Sequence, residues 1–67
     1  MKNLDNTLEE LVEQVAYYVK CVNEAKTMAW RCRMEANLWL ARRYVRCKEL
    51  GITYAELPYD DNGAKQP

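Results

Sequence analysis

Between Met1 and Leu50 the chain has neither a glycine nor a proline. These two residues are the usual breakers of helices, so an uninterrupted stretch of this length favours helix. Both ends are marked as well. Thr7 and Glu10 have the spacing of a capping box, and Gly51 follows Leu50 at the place where a left-handed residue ends a helix. The sequence therefore predicts an all-α fold.

The apolar pattern breaks once inside this stretch. At 100° per residue, one helical face collects Leu8, Leu11, Val12, Val15, Tyr18, Val19 and Val22. Beyond Val22 the same face would carry Lys26, Arg33 and Asn37, so the phase is lost. We therefore predict an antiparallel helical hairpin, with one helix over about 7–23 and a second over about 27–50. The alternative is one long helix in a coiled coil, because no glycine or proline marks the turn.

The second predicted helix has two apolar lines. The first consists of Met34, Leu38, Ala41 and Val45, and the second of Ala29, Ala36, Leu40 and Cys47. A helix that is apolar on two sides is contacted on two sides, and a chain of 67 residues gains stability from self-association. We expect two hairpins to form a homodimeric four-helix bundle. The predicted oligomer interface comprises Leu8, Leu11, Val15, Val22, Met34, Leu38, Ala41 and Val45.

The composition changes after Gly51. Thr53 and Glu56 form a second possible capping box, and Pro58 follows closely. Residues 50–57 resemble the turn of a helix-turn-helix, but Pro58 would end the second helix after about one turn, too soon for a recognition helix. We predict a single helical domain over 1–58 with a short C-terminal turn. Residues 59–67 are turn-like and polar, which predicts a flexible C-terminal tail.

The residue types present offer little for catalysis or metal binding. The chain has no histidine, and its three cysteines lie too far apart in sequence for the usual zinc pairs. We therefore predict no enzyme, no catalytic residue, no metal and no cofactor. An odd cysteine count without a secretory signal predicts a cytoplasmic protein whose cysteines are small buried hydrophobes. No stretch is long and apolar enough to predict a membrane span.

Charge is distributed unevenly along a chain whose net charge is zero. Residues 27–50 carry six basic and two acidic side chains, and the flanking segments are acidic. A basic-aromatic face is predicted to bind a partner through Arg31, Trp39, Arg42, Arg43 and Arg46. Arginine and tryptophan often dominate protein interfaces, so we expect a small interaction module, a regulator or inhibitor that occludes a protein with an acidic or mixed surface. Two alternatives stay open: binding of nucleic acid phosphates by the same arginines, and pairing of the basic face with the chain's own acidic first helix.

Overall fold

The computed structural model describes residues 6–59 and 61. Two α-helices, α1 (Leu8–Glu24) and α2 (Met28–Leu50), are followed by a short 3-10 turn at Tyr54–Glu56. The two α-helices pack against each other as a hairpin, which confirms the predicted fold. One continuous helix is therefore wrong, because the chain leaves the helical conformation between Glu24 and Met28. Neither α-helix has the length and hydropathy to cross a bilayer.

The reversal between the helices needs no special backbone conformation. Ala25 and Thr27 are both extended, with φ of −63° and −129°, and no non-glycine residue in the described part of the chain has a positive φ. The turn can therefore be made without glycine or proline. Thr27 then starts α2, since its hydroxyl accepts a hydrogen bond from the Trp30 amide at 3.2 Å.

The outer ends of the hairpin carry the predicted caps. The Glu10 amide donates to the Thr7 hydroxyl at 3.1 Å, and the Thr7 amide donates to the Glu10 carboxylate at 2.9 Å, which completes the capping box. At the end of α2, Gly51 adopts a left-handed conformation with φ of 68°. The Ile52 amide then donates to the Cys47 carbonyl at 3.1 Å, so the last turn closes and the chain reverses.

The core between the helices is drawn from the predicted apolar faces. Leu11 of α1 and Met34 and Ala41 of α2 are buried within one chain. These three residues belong to the predicted oligomer interface, and in the single chain the hairpin itself covers them. Of the other predicted interface residues, Leu8 is exposed, and four are half-buried: Val15, Val22, Leu38 and Val45.

The second apolar line of α2 is covered only at its C-terminal end. There Cys47 is buried with Leu57 of the C-terminal segment, and its thiol donates a weak hydrogen bond to the Thr53 carbonyl at 3.7 Å. Burial raises the pKa of the Cys47 thiol, which therefore stays protonated at neutral pH. Cys47 is thus a small buried hydrophobe as predicted. Cys32, in contrast, is exposed, so the same expectation is wrong for it.

Candidate partner-binding face of the second helix

Arg43 was predicted to lie on an exposed face, and this is wrong. Its side chain lies on the side of α2 away from α1, and the C-terminal segment covers it until only 4% of the residue is exposed. Burial of a cation costs free energy unless each of its donors has an acceptor. The segment that covers Arg43 must therefore supply acceptors for its guanidinium.

Backbone carbonyl groups supply most of the acceptors for Arg43. One terminal nitrogen donates to the carbonyls of Pro58 at 2.8 Å and Tyr59 at 2.6 Å, with a longer bond to that of Asp61 at 3.4 Å. The other terminal nitrogen donates to the Leu57 carbonyl at 3.4 Å. Nε donates to the Tyr54 hydroxyl at 3.1 Å. The planar fork of arginine is what allows one side chain to bind so many oxygens.

Aromatic rings enclose the same guanidinium. Its Cζ atom lies 4.8 Å from the ring centre of Tyr54, 5.0 Å from that of Trp39 and 6.0 Å from that of Tyr59. Each ring presents the negative part of its quadrupole to a cation, which offsets part of the lost hydration. We call Arg43, these three rings and the carbonyls of residues 57, 58, 59 and 61 the Arg43 cage.

The Arg43 cage reaches beyond the domain boundary predicted at residue 58. The Tyr59 ring packs on Trp39 with the ring centres 5.6 Å apart, and the Asp61 carboxylate accepts from Arg46 Nε at 3.1 Å. The rest of the predicted tail, residue 60 and residues 62–67, lies outside the described residues.

The remaining cations of the predicted face lie along one side of α2. At 100° per residue Arg31, Arg42 and Arg46 fall within about 60° of one another, with Trp39 at the edge of that arc. Arg31 is paired with Glu35 at 3.4 Å, and Arg46 is paired with Asp61 and, at 3.7 Å, with Glu49. Arg42 is half-buried and has no ion pair with any described residue.

Four of the five predicted residues thus share a surface: Arg31, Trp39, Arg42 and Arg46. Tyr59 joins them, since it contacts Trp39 and is 82% exposed. We call these five residues the contact face. Sequence reasoning missed Tyr59 and Asp61 because both were assigned to the tail. The signal available was a run of aromatic and acidic residues downstream of an arginine-rich helix, which is weak without the fold.

Comparison with known proteins identifies no relative of this chain: no family model, no curated protein and no solved structure matches it.

Proposed function

We propose that this protein is a small non-enzymatic interaction module that binds a larger protein through the contact face and regulates or inhibits it by covering part of its surface. The observation that supports this most directly is the aromatic pair of Trp39 and Tyr59. The Arg43 guanidinium lies 5.0 Å from the centre of the Trp39 ring, and the Tyr59 ring packs on Trp39 at a tilt of 55°, so the Trp39 ring is held in place before any partner arrives. A preorganised aromatic anchor loses little conformational entropy on binding.

The cations around this anchor favour a protein over a nucleic acid. Arg31 and Arg46 already have the carboxylates of Glu35, Glu49 and Asp61 beside them, so the three cations of the face are matched by three carboxylates. Binding of a phosphate backbone requires unneutralised positive charge. A mixed protein surface that offers a carboxylate to Arg42, which has no ion pair within residues 6–59 and 61, fits this balance better.

Photocrosslinking in the cells that make the protein tests the proposal. Tyr59 is replaced by benzoylphenylalanine, which retains an aromatic ring at this exposed position and forms a covalent adduct with whatever protein contacts it. We expect a discrete adduct that is strongly reduced when Arg42→Glu is added, because a cation of the contact face is replaced by an anion. Lys20→Glu, on the exposed side of α1, is the matched charge reversal and should leave the adduct intact.

Two outcomes would overturn the proposal. Either no adduct forms, or Arg42→Glu and Lys20→Glu reduce it equally. A fluorescence anisotropy titration with labelled single-stranded and duplex oligonucleotides covers the nucleic-acid alternative. Tight binding that weakens by about 0.9 log units per log unit of salt for each phosphate contacted, and that Arg42→Glu abolishes, would replace a protein partner by a nucleic acid.

A further inference from the structure

A groove of about 680 Å³ runs between α1 and α2 on a different side of α2 from the contact face. Its floor and walls combine aromatic and aliphatic side chains with carboxylates; Tyr17, Tyr44, Leu40, Glu10 and Glu13 are among the lining residues. Tyr17 is 61% exposed and Leu40 is 37% exposed, so the hairpin leaves apolar surface uncovered here.

The charges on this side of the hairpin are separated along its length. Glu10 and Glu13 lie near the start of α1, at the open end of the hairpin. Arg33 lies five residues into α2, near the turn, on the same side of α2 as the groove residues Asn37, Leu40 and Tyr44. With a rise of 1.5 Å per residue, Arg33 and the two carboxylates are separated by roughly 9 to 14 Å along the hairpin axis.

The groups at the two ends are available for contacts with another molecule. Arg33 and Glu13 are both exposed, and neither has an ion pair or hydrogen bond to a side chain within residues 6–59 and 61. Glu10 uses one carboxylate oxygen in the capping box. An apolar centre with an acidic end and a basic end is complementary to a copy of itself turned around a two-fold axis.

We propose that this groove binds the groove of a second copy of the chain, in a two-fold dimer that pairs Arg33 of each copy with Glu13 of the other. The axis that brings these charges together passes close to the middle of the groove. It also brings the exposed apolar side chains of the two grooves, Tyr17 and Leu40 among them, into the same interface. The apolar side chains are then buried together and the opposite charges meet at both ends.

The small core of the single chain adds a reason for association. Within the described residues only five apolar side chains are buried, namely Leu11, Met34, Ala41, Cys47 and Leu57. Chains of this size commonly gain stability from an oligomer interface. The groove supplies such an interface without using any residue of the contact face, so the dimer does not depend on the proposed function.

Charge-swapped variants test the dimer by sedimentation equilibrium in reducing buffer, with circular dichroism as the check on folding. Arg33→Glu and Glu13→Arg should each weaken dimerisation by about tenfold, because two attractive pairs become repulsive. Mixing the two variants should restore association as a heterodimer, since every charge pair across the interface is then opposite again. Glu35→Lys, a charge reversal at an exposed position about 160° around α2 from Arg33, should leave the dimer unchanged.

The same experiment contains the results that would overturn the proposal. A wild-type chain that remains monomeric at every concentration excludes it. A dimer that tolerates Arg33→Glu but is lost with Val12→Asp would place the interface on the other side of α1, where Val12 is exposed. Absence of the heterodimer in the mixture would show that Arg33 and Glu13 do not meet. None of these results involves an external partner, so they are distinct from failure of the contact face.

Discussion

The two sides of α2 are stabilised in different ways. The side against α1 buries aliphatic and small residues, such as Met34 and Ala41, whose positions repeat with the helical period. The opposite side, in the C-terminal half of the helix, is organised by the Arg43 cage, in which one cation binds five oxygens and lies beside three rings. The contact between α1 and α2 is stabilised by removal of apolar surface from water. The Arg43 cage is stabilised by hydrogen bonds and ring contacts that require a fixed geometry.

Truncation of a side chain buried between α1 and α2 should have the largest effect on stability. Leu11 is fully buried, and Leu11→Ala removes apolar contacts and leaves a cavity, which should lower the free energy of unfolding by about 3 kcal/mol. Urea denaturation followed by circular dichroism measures the change, and unfolding should affect the whole hairpin. Val12→Ala is the control, because Val12 is half exposed and should cost much less. Equal losses for the two variants would contradict the assigned core.

Removal of the caged arginine should have a smaller and more local effect. Arg43→Ala leaves the carbonyls of residues 57–59 without their donor, and we expect a loss of about 2 kcal/mol. The Leu57 amide donates to the Tyr54 carbonyl and the Asp61 amide to the Pro58 carbonyl. Hydrogen exchange should accelerate at these two amides, while the amides of α1 keep their protection. Arg43→Lys retains the charge without the planar fork, so its free energy of unfolding should lie between those of the wild type and Arg43→Ala. Uniform acceleration across the hairpin would mean that the cage is not a separate unit.

The link between the two regions is the left-handed residue at the end of α2. Gly51→Ala should cost about 1 kcal/mol because a side chain disfavours a φ of 68°. A Cβ atom at this position would meet no atom within 4 Å, so the cost is that of the backbone alone. Thermal denaturation gives the value, and Gly51→Asn should cost less, since asparagine tolerates this conformation better. A Gly51→Ala variant as stable as the wild type would contradict the left-handed conformation of residue 51.

The smallest expected effect is a pH dependence on the cage side. Because burial raises the pKa of Cys47, the folded chain keeps the thiol proton at a pH where the unfolded chain has lost it. Its contribution to stability is therefore constant below the ordinary value of 9.0 and declines as the pH rises from there toward the raised value. Unfolding free energies of the wild type and Cys47→Ala should converge above that pH. A difference that stays constant would place the thiol in contact with solvent.

Periodicity and capping chemistry carried the prediction of the hairpin. The loss of apolar phase after Val22 located the turn, and Thr7 and Gly51 located the outer ends, because these signals depend only on neighbours along the chain. The contact face was predicted only in part. Burial of Arg43 depends on carbonyl groups 14 to 18 residues away, and every residue carries a carbonyl, so no residue type in the sequence marks them.

The same property of the Arg43 cage has a consequence for sequence variation. Since four of its five acceptors are main-chain oxygens, replacing the side chain at position 58 or 61 leaves the acceptor in place as long as the local backbone path is kept. Selection on this contact would fall on Arg43 and on the rings beside it, Tyr59 included, while the other side chains of the segment that supplies the oxygens are free to diverge. Related chains would then be recognised by an arginine four residues after a tryptophan on an otherwise amphipathic helix, and not by similarity in the segment that covers it.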